Sequence, residues 1–474
     1  MRYGQVAVFL FLIVSVASAE TRVHGSFRSR AEAWDWFEGQ ANNSYLFSGN
    51  LFRLSLSGSG ARTDWNVEFA APVLLALPND AIAPAPQGQL GLGATYFAAN
   101  DGSRNSTNVF PKQAFVRFKD LLGSQGRSLR AGRFEFVDGG EVMPANPTLA
   151  YVKRERIAQR LLGHFGWTHV GRSFDGLHFV QDGPTRNFTF VGAAPTRGVF
   201  QTNGWANLPI GVFYGSLTGQ VNGGRNQGEW RVLAMYYQDW RNIAKVDNRP
   251  APIRAADREP VKIGTFGGHY LHAAETSAGT FDLMLWGMMQ TGKWGTLDHL
   301  AGGIGAEAGI QPRILPSIRP WLRGGYFYGS GDGNPNDNRH TTFFQVLPTP
   351  RPFARFPMYN LMNIEDAFGM LILRPHRTLA VRFEAHSLRL ANRNDLWYLG
   401  GGAFQMQTFG YVGRPSFGRK GLGGLYDVSA DWNVHPSLTL SGYLGHVNGG
   451  GVLQAIYPRG NNGYFGYVEA IYRF

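Results

Sequence analysis

Arginine recurs at alternate positions over short stretches of this chain, with apolar or small residues between. In "TRVHGSFRSRAEA", Arg22, Arg28, Arg30 and Glu32 share one parity, while Val23, Phe27, Ala31 and Ala33 share the other. Arg53 stands between Phe52 and Leu54, Arg231 between Trp230 and Val232, and Arg382 between Val381 and Phe383. By the same parity Arg117, Lys119, Arg133 and Arg323 join the charged set, with Glu32, Asp64, Glu68, Glu135 and Glu384 interspersed. A guanidinium offers a planar fork to a carboxylate, so an array of them suits an acidic solute. Acids placed between them would keep each station weak enough to release what it holds. The same charges could instead pair across strands and only solvate a wall. Enzyme chemistry has no foothold: there is no phosphate-binding glycine loop, no H-E-x-x-H, no G-x-S-x-G and no cysteine. His164 and His169, five residues apart, read as ordinary polar residues. No catalytic role, metal or cofactor is expected.

Period-two alternation needs strands with unlike surroundings on their two faces. The pattern repeats in "LFRLSLSG", "DWNVEFA", "EWRVLAMYYQDWR", "TLAVRFEAHSL" and "GLYDVSADWNV". One face carries charge and the other has none. An Arg or Lys on the lipid side of a membrane strand costs roughly 2–4 kcal/mol at mid-depth, and this partition avoids it. Arg130 breaks the rule, sharing parity with Phe134 and Phe136, and is expected to snorkel at an interface. Breakers and alternation together give about 18 strands. Every second connection is short (58–63, 182–186, 274–279, 374–378, 435–437). The largest of the others are 75–111, 137–168, 242–260, 330–362 and 391–420. Short turns on one side and long loops on the other predict an all-β, transmembrane, antiparallel up-and-down barrel, with periplasmic turns and extracellular loops. The last stretch, "GYFGYVEAIYRF", places Tyr464, Val468 and Tyr472 toward lipid and makes Phe474 the end of a closing strand.

The first 19 residues have a basic start, a short apolar run and Ala17-Ser18-Ala19, the layout of a cleaved secretory signal. The expected organisation is therefore a signal peptide at 1–19 and a single barrel domain at 20–474. Mean hydropathy is −0.21, which excludes a polytopic helical membrane protein. Gly 63, Phe 34, Tyr 19 and Trp 12 supply turns and interfacial rings. With 45 basic against 33 acidic residues, the net charge of +12 suits lipopolysaccharide phosphates or an anionic solute. Nucleic acid is not expected as a partner of an exported chain.

Residues 128–180 resemble the alginate export family of outer-membrane porins. "LRAGRFEFVDGGEV" is similar to that family's G-R strand and the Asp/Gly loop start after it. "MPANPTLAYVKRERIAQR" and "GRSFDGLHFV" resemble its basic loop and R-x-F-D-G strand. The resemblance implies a barrel of about 18 strands with an arginine-rich pore. It assigns conduit roles to Arg133, Arg172 and Asp175, and to Arg154, Arg156 and Arg160 on the basic loop, with Glu135 in a stretch that varies. It also implies passive export of an anionic polysaccharide or acidic oligosaccharide across the bacterial outer membrane.

The conduit expected from both readings comprises Arg28, Arg30, Arg53, Arg117, Arg133, Glu135, Arg154, Arg156, Arg160, Arg172, Asp175, Arg323 and Arg382. Its partners would be the anionic saccharide, outer-membrane lipid and lipopolysaccharide, the barrel assembly machinery through the C-terminal strand, and periplasmic export proteins. A monomer is expected. The alternative within transport is a general or substrate-selective uptake porin for small solutes. A surface adhesin with a plugged lumen and an embedded hydrolase are further alternatives.

Overall fold

The computed structural model describes residues 20–474; the expected signal segment lies outside the described residues. Eighteen long strands close into one antiparallel barrel. In order they are β1 (Glu20–Asp35), β2 (Ser44–Ser59), β3 (Thr63–Leu75), β4 (Phe110–Lys119), β5 (Arg127–Phe134), β6 (Phe174–Asp182), β7 (Arg186–Pro195), β8 (Ile210–Gly223) and β9 (Asn226–Asp239). They continue as β10 (Val261–Glu275), β11 (Gly279–Trp294), β12 (Leu297–Pro312), β13 (Trp321–Gly329), β14 (Ile364–His376), β15 (Leu379–Arg389), β16 (Gly421–His435), β17 (Leu438–Gly449) and β18 (Gly463–Arg473). Each pairs with its sequence neighbours, and β1 pairs with β18 from Ser26↔Arg473 to Asp35↔Tyr464. Gly25 and Phe474 then exchange both backbone hydrogen bonds, at 2.9 and 3.1 Å. The seam leaves no row of unpaired amides facing hydrocarbon, which a membrane barrel requires.

The outward faces are those the alternation indicated. Phe27, Phe52, Phe69, Val232, Tyr236, Phe383, Tyr426, Val468 and Tyr472 are exposed, while Arg30, Glu68, Arg231, Arg382 and Glu384 are buried inside. All five of the largest connections lie on one rim and all the named short turns on the other. One short turn breaks the sorting. Gly295 and Thr296 join β11 to β12 on the loop rim, with Gly295 at φ 63°, where a side chain would be strained.

The interior is not an open bore. The segments 135–173 and 330–363 fold inward and meet, with Gly163 N donating to Leu347 O (2.8 Å) and Leu347 N to Leu161 O (2.9 Å). Phe165, Phe343, Phe344, Leu347, Phe353, Phe356, Trp397 and Phe404 are buried among them. A hairpin, Leu396–Gly400 with Tyr411–Pro415, and a short helix, Leu92–Ala99, pack into the same mass. The largest apolar cluster therefore includes loop side chains inside the cylinder.

That inner core corrects the reading of β5. Arg130 does not snorkel at the outer surface: it donates to His178 Nδ1 (2.7 Å) and lies over the Phe115 and Phe134 rings, inside the barrel. Phe134 and Phe136 also point inward, Phe136 against Tyr214. Arg133 consequently faces outward with Asp175, which shares parity with exposed Leu177. Apolar residues face outward wherever the lumen is wet. Where a loop core fills it, they can face inward.

Candidate functional site

Two cavities lie one beyond the other in the loop-filled interior, and Trp167 and Arg351 border both. The inner chamber, about 450 Å³, is walled by β1, β2, β15 and β18 and roofed by the two inward loops. Seven arginines (Arg28, Arg30, Arg53, Arg351, Arg355, Arg382 and Arg473) and Lys112 line it against four carboxylates, Glu135, Glu155, Asp431 and Glu469. The alternation of β1 and β18 delivers several of these: Arg28 and Arg30 from one strand, Tyr467, Glu469, Ile471 and Arg473 from the other.

Some of these charges are paired. Arg30 binds Glu469 at 2.7 Å, and Arg53 bridges Glu68 and Glu135, the latter at 2.8 Å. Lys112 is 3.5 Å from Glu135 and donates to the Val170 and Arg172 carbonyls, both at 3.1 Å. Arg28 donates to the carbonyls of Gly166 and Thr168, holding the loop that carries Trp167. Among the described residues Arg351 has no acid partner. It donates to Arg355 O (3.2 Å) and Tyr359 O (2.6 Å), and burial draws its pKa down to about 9. A guanidinium buried without a counter-ion favours an anion beside it.

Of the expected conduit residues, Arg28, Arg30, Arg53, Glu135 and Arg382 meet in this chamber. Arg117 lines a third cavity, about 620 Å³, toward the short-turn rim with Arg22, Arg130 and Asp64. The basic loop does something else. Arg156 donates to Glu307 at 3.0 and 2.9 Å, Arg160 lies 3.4 Å from it, and Arg323 binds Glu307 (3.1 Å) and Asp282. Lys153 reaches Glu229 at 2.6 Å, and Arg154 is exposed beside Glu155. Lys153, Arg156 and Arg160 thereby fasten the loop to carboxylates on β9 and β12. Arg172 is buried, donating to Gly401 O, with its pKa lowered to about 10 by burial. Arg133 and Asp175 do not reach the lumen. They form a two-pronged pair at 2.7 Å outside the wall, and Arg133 also donates to the carbonyls of Pro111, Gly204 and Trp205.

Reading strands alone missed Lys112, Trp167, Arg351 and Arg355. The last two stand in "TPRPFARFP", where prolines and aromatics beside arginines mark a buried loop rather than a solvated one. Among the described residues, no group of three or more His, Asp or Glu side chains could hold a metal ion.

A family model described as alginate export matches residues 23–466. The chain belongs to the alginate export family. No curated protein matches this family member in sequence. Among solved structures it is similar to OccAB2 of Acinetobacter baumannii, with 10% identity, a TM-score of 0.58, and 96% of this chain and 98% of that one covered. It is also similar to OccK9 (OpdG) of Pseudomonas aeruginosa, at 10% identity and TM-score 0.56, covering 96% and 98%. A third is OpdK of P. aeruginosa, solved with vanillate, at 9% identity and TM-score 0.53, covering 95% and 98%. The closed barrel, its apolar outer belt and the fold it shares with outer-membrane proteins make this an outer-membrane β-barrel protein of a bacterium.

Polysaccharide export, which the resemblance implied, is overturned. The barrels that share this fold include one solved with a single-ring acid. In this member of the alginate export family, inward loops leave small chambers divided at Trp167 and Arg351, where a polymer would need one continuous wide bore.

Proposed function

We propose that the protein is a substrate-selective outer-membrane channel for small acidic solutes, a passive uptake route. The observation that carries this is the excess of cations in the inner chamber, eight against four carboxylates, with Arg351 lacking any acid partner among the described residues. Acid-paired Arg30 and Arg53 would supply weak stations, and Arg351, at the division between the cavities, a stronger one. Multiple modest sites allow passage where one tight site would trap the solute. That OpdK was solved with vanillate supports a solute of single-ring size.

Planar-bilayer recordings test the reading. In a potassium chloride gradient the reversal potential should shift toward the chloride equilibrium value. Millimolar benzoate should reduce the chloride current, while benzamide should leave it unchanged. A cation-selective pore, or equal effects of the acid and its amide, overturns it.

A further inference from the structure

The outer surface of the barrel carries charge where it meets the loop rim. Lys262 on β10 and Lys293 on β11 stand directly opposite each other in the ladder, each one residue from the rim end of its strand. Both are exposed and point outward, sharing parity with exposed Phe266 and Met289. The row continues sideways, Lys293 opposite Asp298 on β12 and Asp298 bridged in turn to Arg339. Lys293 and Asp298 form an ion pair, both more than half exposed. Among the described residues no carboxylate pairs with Lys262 or Arg339. Like charges directly opposite on one sheet face repel, so the Lys262–Lys293 rung lacks an anion.

Below this row the same two strands carry a hollow. Six residues further along each strand, roughly 20 Å from the lysines, Gly268 and Gly287 face each other. With Tyr270, Leu285, Ile304 and Tyr326 they border an apolar groove of about 420 Å³ in the lipid-facing wall. The two glycines differ. A Cβ on Gly268 would strike the Arg231 carbonyl oxygen, so close strand approach demands glycine there. A Cβ on Gly287 would meet nothing nearer than Ile304 Cγ2 at 3.9 Å, and its φ is not positive. No packing within the barrel requires that position to be bare. Between the lysines and the groove lies the Phe266–Met289 pair. From rim to mid-wall the face therefore runs cations, apolar side chains, hollow.

That order matches a lipid with an anionic head and an extended acyl chain. The long-loop rim of such a barrel is extracellular, where the leaflet is built of lipopolysaccharide. We propose that the outward face of β10–β12 binds one lipopolysaccharide molecule, a lipid A phosphate seated between Lys262 and Lys293 and one acyl chain laid in the groove before Gly287. An ammonium binds phosphate as a point charge, so two from neighbouring strands need no shaped cradle. A second copy of the barrel is a poorer occupant, because a two-fold contact centred here would set lysine against lysine. The site does not depend on what the channel carries.

Native mass spectrometry of the full barrel in detergent tests it, with lipid A, dephosphorylated lipid A and phosphatidylglycerol added in turn. One lipid A should be retained per barrel, and the other two lipids at least about tenfold more weakly. The double variant Lys262→Gln, Lys293→Gln should weaken lipid A at least about tenfold. Gly287→Leu, which fills the groove and leaves both lysines in place, should weaken it about fivefold. If one variant fails to fold, the other decides. Wild-type lipid A affinity in a folded variant overturns the proposal, as does a wild-type barrel that retains no lipid A. Equal retention of dephosphorylated lipid A or phosphatidylglycerol overturns it too. Barrel dimers free of lipid A would give the face to a second copy and overturn it as well.

Discussion

Arg156, on the inward loop, donates from Nε to both carboxylate oxygens of Glu307 on β12, at 3.0 and 2.9 Å. Arg160 and Arg323 converge on the same group. One carboxylate thus pairs with three buried guanidiniums, Arg323 also binding Asp282, and latches the loop to the wall. Removing one partner of such a cluster costs about 3–5 kcal/mol, because charges remain buried without a counter-ion. Glu307→Gln should release the loop while the eighteen-strand ladder persists. Single-channel conductance should rise, and trypsin should cut within 153–160 in intact outer membranes. Wild-type conductance and protease resistance would show that the latch is dispensable.

His169 gives the loop a pH dependence. It is fully buried, 3.0 Å from Glu32 and packed on Tyr96, with Arg28 and Arg30 nearby. Burial holds it down to about 4, against 6.5 when exposed. A base depressed in the closed state stabilises that state above the exposed value. The contribution fades as pH falls from about 6.5 toward about 4, since the open state then binds the extra proton. Conductance should therefore increase on acidification through that window, and His169→Gln should flatten the response. An equally steep response in the variant would assign the effect elsewhere.

Arg133 is outside the conduit, so its loss should separate stability from selectivity. Arg133→Ala abandons the Asp175 carboxylate and the carbonyls of Pro111, Gly204 and Trp205. Local stability should fall by about 3–5 kcal/mol. Thermal unfolding in detergent should begin earlier, while the reversal potential stays at the wild-type value. A shifted potential would return Arg133 to the ion path.

The barrel was legible because lipid is uniform. Phe27, Phe52 and Phe383 could face outward at any depth, and Arg28, Arg53 and Arg382 could not. Loop lengths added an independent count. The lumen was less legible, because its contents come from loops that obey no period. "KRERIAQR" reads as a basic stretch, and nothing local says that Glu229 and Glu307, on distant strands, await it. Phe134 and Phe136 misled for the same reason: the apolar surface they meet is Tyr214 and neighbouring loops, not lipid. Arg351 carries no strand signature. Only its setting among prolines and rings distinguishes it from a solvated arginine.

Trp167 is the side chain whose removal should most change what passes. It borders both cavities, and the Arg30 guanidinium lies over its ring at 4.5 Å. It also sits 6.3 Å from the rings of Phe465 and Tyr467 on β18. Trp167→Ala would join the outer pocket to the chamber and leave Arg30 bound to Glu469, so the cationic charge of the path is kept. Size discrimination should fall while anion preference stays. In liposome swelling, disaccharide-sized acids should enter the variant several-fold faster than wild type, with single-ring acids little changed. Trp167→Phe, which retains a ring in the division, should behave nearly as wild type. Equal swelling of Trp167→Ala and wild type across solute sizes would mean that the division lies elsewhere, with Arg351 and its loop left to form it.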